Sequence, residues 1–182
     1  MSNALIIVDM QNDYFPGGNM ALSGMNEAAE NARRLLDFYR AKNRMVYHIQ
    51  HISAYKGATF FVANTPGVEI NQQLAPLNSE KVITKNYPNS FRETDLLQEL
   101  RSNDIDCLTI CGAMSHMCID ATTRAAFDFG FKCTVVPDAC ATRDLQFEGE
   151  DIPARFVHGA FMSALYPVYA VLKRTSEITG EE

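Results

Sequence analysis

The sequence predicts an α/β fold of three layers, with helices on both faces of a mainly parallel, Rossmann-like sheet. Three observations lead to this. Short unbroken apolar runs rich in β-branched residues recur along the chain, as expected for strands buried on both faces. Segments with apolar residues at helical spacing lie between them. The two patterns alternate from end to end without a repeat, low-complexity tract or linker, which is the order of parallel crossover units. The 182 residues suffice for one domain, 1–182, which buries about two-thirds of its unfolded surface.

Ala4-Leu5-Ile6-Ile7-Val8 is the first strand and stops at the charge of Asp9. Asn26 is placed to cap a helix with Glu27 and Glu30 in its first turns and Ala28, Ala32, Leu35, Leu36 and Tyr39 on one face. Met45 to Gln50 is the second strand. The stretch from His51 to Pro76, punctuated by Gly57, Pro66 and Gly67, reads as a long loop with short elements. Lys81 to Thr84 forms a third strand ending at Lys85, and Thr94 caps a helix whose inner face is Leu96, Leu97 and Leu100. Cys107 to Cys111 is a strand and Gly112 to Met117 a loop. The next helix is rich in small residues (Ala121, Ala125, Ala126) and runs to Phe129, with Gly130 at its C′ position. Lys132 to Val136 is a strand ended by Pro137, and Ala141 to Glu150 a polar loop. Pro153 stands in the first turn of a helix with Phe156, Val157, Ala160, Phe161, Ala164 and Leu165 as its buried stripe. Val168 to Leu172 is the last strand.

Composition excludes several functions. Acidic residues outnumber basic ones 22 to 16, and no basic run exceeds Arg33-Arg34, so no face is suited to nucleic-acid phosphates. No stretch approaches the roughly 20 apolar residues of a membrane span, and the start lacks the basic n-region of a signal peptide. Five cysteines, an odd number without an export signal, point to a reducing cytoplasm rather than a disulfide framework.

In parallel sheets ligands bind beyond the carboxyl ends of the strands. Asp9, Lys85 and Cys118 stand at or just past three such ends, and Cys118 also opens a helix, where unpaired N–H groups and the dipole favour a thiolate. A carboxylate that takes the thiol proton and a lysine that stabilises both anions form a coherent nucleophilic set. Each residue also has an ordinary explanation as a cap, a solvated strand end or a silent core thiol. Spacing alone leaves both open.

The residues themselves go further. Leu5-Ile6-Ile7-Val8-Asp9-Met10-Gln11-Asn12-Asp13-Tyr14-Phe15 resembles the opening motif of the isochorismatase-like cysteine hydrolases, which include nicotinamidases and N-carbamoylsarcosine amidases. The run from Cys111 to Ala126, with Asp128-Phe129-Gly130-Phe131 after it, resembles that family's nucleophile segment, and Lys85 ahead of Tyr87, Ser90 and Phe91 its lysine. Asp138-Ala139-Cys140 and His158 fit later landmarks. The resemblance implies Cys118 as nucleophile, Asp9 as general base and acid, and Lys85 as charge stabiliser. It also implies a cis peptide between Ala113 and Met114, and an oxyanion hole from the N–H groups of Met114 and Cys118. The implied protein is a cytoplasmic homo-oligomer that hydrolyses a small amide or carbamoyl compound and touches neither membrane nor nucleic acid. Vinyl-ether hydrolysis of isochorismate is the rival within the family, although relatives doing that chemistry lack the cysteine. A silent binding protein is the rival outside enzymology; the presence of Asp9, Lys85 and Cys118 together speaks against it, and iodoacetamide is expected to separate the two readings by labelling Cys118 first among the five thiols.

Other candidates are weaker. Metal-dependent relatives use an Asp-x-His pair, but here His48-Ile49-Gln50-His51 has no acidic residue nearby, and His48 and His51 face opposite ways on a strand. No cofactor is expected, and His51 would be the ligand if a divalent ion such as zinc did bind. Cys107 and Cys111 lie about 13 Å apart along a strand, too far for one zinc. Cys133 and Cys140 show no partner pattern. His116 reads as a pocket-wall residue, and Phe15, His51, Phe60, Tyr87 and Phe91 as further pocket residues near the strand-end rim.

Overall fold

The computed structural model describes residues 2–180. In chain order they form β1 (Ser2–Val8), α1 (Met25–Ala41), β2 (Val46–His51), β3 (Lys81–Lys85), α2 (Leu96–Ser102), β4 (Ile105–Ala113), α3 (Asp120–Asp128) and β5 (Lys132–Ala141). The hairpin strands β6 (Leu145–Phe147) and β7 (Glu150–Ile152) follow, then α4 (Ala154–Leu165), β8 (Val171–Leu172) and α5 (Thr175–Thr179). Six strands make one sheet in the order β3-β2-β1-β4-β5-β8, every pairing parallel. The α/β architecture read from the sequence is therefore the observed one. Among the described residues no helix is long and apolar enough to cross a membrane.

The pleat of β1 sets the layers. Leu5 and Ile7 join a core with Ala32, Leu35, Leu36 and Tyr39 of α1, against which Ile178 of α5 also packs. Ala4, Ile6 and Val8 join the opposite core with Leu96 and Leu100 of α2, Ala126 of α3, and Met162 and Leu165 of α4. The unbroken apolar run follows from this double burial.

Several expectations need correction. Helix α1 starts after Gly24 rather than at Asn26, and no side chain caps it. A missing cap costs about 1 kcal/mol, whereas burying Leu35 and Leu36 contributes roughly 1.5–3 kcal/mol each, so packing sets the start. Strand β5 does not stop at Pro137. The register jumps from Ile110↔Val135 to Gly112↔Cys140, so the intervening residues of β5, Pro137 among them, bulge out before the ladder resumes. The polar loop holds the β6–β7 hairpin, turned at Glu148 and Gly149, both with positive φ. Pro153 is the N-cap of α4, not its first turn, and the buried stripe is Ala154, Val157, Met162 and Leu165, leaving Phe156, Ala160 and Ala164 exposed. Strand β8 is only Val171–Leu172, because the N–H groups of Tyr169 and Ala170 are still bonded to Leu165 O at the end of α4. Cys107 is half-buried rather than core, and none of the five cysteines is in a disulfide.

Candidate active site

The strand order reverses between β1 and β4, so the crevice beyond their carboxyl ends is the natural ligand site of this sheet. Asp9 follows β1 with φ 52, a left-handed conformation that costs a non-glycine residue roughly 1–2 kcal/mol. Its N–H is held by Ile49 O at 3.0 Å, and its side chain is fully buried. Beyond β4 the chain makes one π-helical turn, Ser115–Ile119, before α3 begins, and Cys118 lies in that turn rather than in the α-helix itself. Gly112 makes the approach possible. It has φ +126, and a Cβ there would collide with the backbone of Val8. The Ala113–Met114 peptide is cis.

Lys85 ends β3, about 10 Å from β1 at the usual strand spacing, and its long side chain covers the gap. Its Nζ stands 2.8 Å from Asp9 Oδ2, 3.3 Å from Cys118 Sγ and 2.8 Å from His51 Nδ1. An ammonium has three protons and here has three acceptors. The three residues from three strand ends thus meet at one buried cation.

Burial alone would pull the Lys85 ammonium down, but the Asp9 carboxylate and Cys118 more than offset this and hold it above the usual lysine range. Burial and then the Asp9 charge push the Cys118 thiol well up, against Lys85. The sequence-based expectation of a resting thiolate with fast iodoacetamide labelling is corrected accordingly: at 4% exposure, desolvation beside a carboxylate outweighs the helix start. Burial and the neighbouring ammonium lower His51 to about 4, so its ring is neutral and Nδ1 accepts from Lys85. Asp9 Oδ1 is buried and has no hydrogen-bond partner among the described residues.

Gln11, also fully buried, fixes this arrangement. Its Nε2 donates to His51 O (2.8 Å) and Val68 O (2.7 Å), while its Oε1 accepts from His51 N (2.7 Å). Asp13 accepts from Phe61 N at 2.6 Å and from Asn19 N at 3.2 Å, with Gly67 close against its carboxylate. Tyr14 lies near Asp9, whose charge raises its phenol further after burial has done so, and its ring packs at a tilt against Phe61 at 4.5 Å. Gln11 and Asp13 were not singled out from the sequence, although two hydrogen-bonding side chains directly after a fully buried strand were a signal.

Asp9, His51 and Cys118 bring ligand atoms within 4.8 Å of one another. A divalent ion does not fit them, because the Lys85 ammonium already lies between these atoms and would oppose it at low dielectric. His48 faces away from His51 and pairs with Glu80 at 2.9 Å.

The expected pocket residues divide. His51 is at the centre. Phe60 packs on Phe61, which in turn lies 5.8 Å from the His51 ring, so it forms a layer behind the site. Phe15 is a buried core residue that lines a separate shallow cavity with Pro16, Gly17 and Thr65. Phe91 is buried and packs on Phe129 at 5.2 Å and Phe131 at 6.2 Å, beyond the C-terminal end of α3. Tyr87 stacks on the Arg92 guanidinium at 3.6 Å. His116 bonds Thr142 Oγ1 at 2.6 Å and abuts Phe161, and burial and Arg143 keep it neutral. Asp138 is structural, accepting from Thr175 N and Oγ1 while its carbonyl accepts from Asn31.

Comparison with known proteins gives one family. The model of the isochorismatase domain matches residues 3–170. The isochorismatase family protein YddQ of Bacillus subtilis (strain 168) is 51% identical over 96% of this chain and 97% of its own. A crystal structure described as an isochorismatase hydrolase from Oleispira antarctica superposes with a TM-score of 0.94 at 43% identity, covering 98% of this chain and 96% of its own. The N-carbamoylsarcosine amidase of an Arthrobacter species is 27% identical over 71% of this chain and 55% of its own.

Proposed function

Because the chain belongs to the isochorismatase family of hydrolases, we propose that it is a cysteine hydrolase that cleaves a C–N bond in a small, non-peptide amide or carbamoyl compound. The observation that supports this most is the single ammonium of Lys85 touching both a carboxylate and a thiol, 2.8 Å from Asp9 and 3.3 Å from Cys118. A vinyl-ether hydrolysis needs no thiol, and a silent binding protein needs none of the three. The kinship with an amidase agrees with the C–N bond.

In the proposed reaction the thiol, held protonated by its burial, gives its proton to Asp9 as Sγ attacks the substrate carbonyl carbon. Asp9 Oδ1, the unpartnered oxygen, is the acceptor. Lys85 remains charged and stabilises the carboxylate before the transfer and the sulfur as it gains charge. The carbonyl oxygen becomes an oxyanion that accepts from the N–H groups of Met114 and Cys118. When the C–N bond breaks, Asp9 returns the proton to the departing nitrogen, leaving a thioester on Cys118. Asp9 then takes a proton from water, whose oxygen attacks the thioester. Sγ leaves and regains the proton from Asp9.

The test is a screen of small amides, ureas and carbamoyl amino acids with ammonia detection, read together with intact-protein mass. Hydrolysis by the wild type that falls at least about 10³-fold in Cys118→Ala, together with an acyl adduct trapped on Cys118, is the expected result. Full hydrolytic activity in Cys118→Ala would refute the scheme.

A further inference from the structure

The turn that supplies both oxyanion donors has to be held in place, and the residues doing so converge on His158. Within the turn, Met114 O accepts from Met117 N (3.0 Å) and Ile119 N (3.2 Å), which curls the backbone around Cys118. The next residue, Ser115, is fully buried. Its Oγ donates to Ala141 O at 3.3 Å, at the end of β5, and lies 2.8 Å from Nδ1 of His158. A hydroxyl has one proton. With that proton on Ala141 O, His158 Nδ1–H is the donor to Ser115 Oγ. His158 comes from the middle of α4, so this bond ties the turn to a rigid helix, while the bond to Ala141 ties it to the sheet.

Packing alone does not account for the histidine. Its ring is only half-buried and lines two shallow surface cavities of about 390 and 230 Å³. Among the described residues its ring makes one hydrogen bond, to Ser115, and burial keeps it neutral.

We propose that His158 is a positioning residue for the oxyanion hole, acting through Ser115 on the Met114 and Cys118 N–H groups without touching substrate. This rests on the acyl-transfer reading above. Misplacing an oxyanion donor by a fraction of an ångström slows carbonyl addition and leaves the sulfur as nucleophilic as before.

Two probes separate these effects. With p-nitrophenyl acetate, Sγ adds to the ester carbonyl, an oxyanion forms, and p-nitrophenolate leaves as Cys118 becomes S-acetylated. With iodoacetamide, Sγ displaces iodide from carbon and no oxyanion forms. His158→Ala is expected to slow p-nitrophenolate release about 30-fold and iodoacetamide alkylation of Cys118 by less than about twofold. His158→Asn, whose side-chain amide can reach the Nδ1 position, restores most of the acetylation rate. Ser115→Ala, which also loses the bond to Ala141, slows release at least as much as His158→Ala, and the double variant is no slower than Ser115→Ala.

Equal slowing of both reagents, or no rescue by asparagine, would mean that His158 only supports the fold and would overturn the proposal. Wild-type p-nitrophenolate release that is unchanged in Cys118→Ala would instead overturn the acyl-transfer reading, and the role of His158 with it.

Discussion

Cys118 shows why residue identity and residue state are separate questions. Its position past the end of β4, with Asp9 and Lys85 at the ends of β1 and β3, is legible in the sequence. Its charge depends on what closes over it. At 4% exposure the thiol loses solvation, and the carboxylate next to it disfavours a second negative charge, so the resting form is the thiol despite Lys85. Alkylation of Cys118 by iodoacetamide, followed by peptide mass analysis, is therefore expected to be slower at neutral pH than that of an exposed cysteine. It is expected to keep accelerating as the pH rises past 9. A plateau near neutrality would show a low-pKa thiolate instead. Lys85→Met tests the other side of the contact: it strands the Asp9 carboxylate in the interior, which costs about 3–5 kcal/mol in a denaturant titration as well as the hydrolytic activity.

At the level of elements, the site depends on how closely β4 passes β1. Gly112 lies beside Val8 with no room for a Cβ and with a φ of +126, so neither sterics nor backbone tolerate a side chain. Gly112→Ala is expected to destabilise the protein by about 3 kcal/mol and to pull Cys118 away from Asp9. A urea midpoint equal to that of the wild type would contradict this. The bulge in β5 and the β6–β7 hairpin were the elements least legible in the sequence. Pro137 suggested a strand end because it cannot donate to a ladder, but the bulge satisfies that restriction while Cys140 and Ala141 pair again with β4. The hairpin is three residues per strand and largely exposed, so the alternation of Leu145-Gln146-Phe147 is too short to mark a strand.

For the whole molecule, buried titratable groups set the response to acid. His48 and His51 are held below the usual histidine value by burial, His51 at about 4. Their unfolded counterparts take up a proton near pH 6.5, so between about pH 6.5 and 4 the unfolded chain binds more protons and stability decreases as the pH is lowered. Glu80 continues the trend. Burial would raise it, but Arg40 at 2.7 and 2.8 Å, the Leu77 N–H and His48 bring it to about 2. Its contribution is present above the unfolded value of about 4.3 and is lost as the pH drops toward 2. Urea midpoints followed by circular dichroism should fall steadily from about pH 7 to 2, and Glu80→Gln should flatten only the part below about pH 4.5. A midpoint unchanged between pH 7 and 5 would show that the histidines do not contribute.

Strand and helix order, the central place of β1 and the three residues at the strand ends were all legible in the chain. Periodicity and burial are tied by the geometry of a doubly covered sheet, and a charge ending an apolar run marks where that burial stops. Tertiary structure alone decided which polar groups meet. Lys85 Nζ, Asp9, His51 and Cys118 come from positions 9 to 118 in the chain and lie within hydrogen-bonding reach because the sheet order β3-β2-β1-β4 sets their strand ends side by side. The protonation of Cys118, the exclusion of a metal by an ammonium, and the hold of His158 on Ser115 follow from distances of a few ångströms across that order. Spacing along the sequence does not contain those distances.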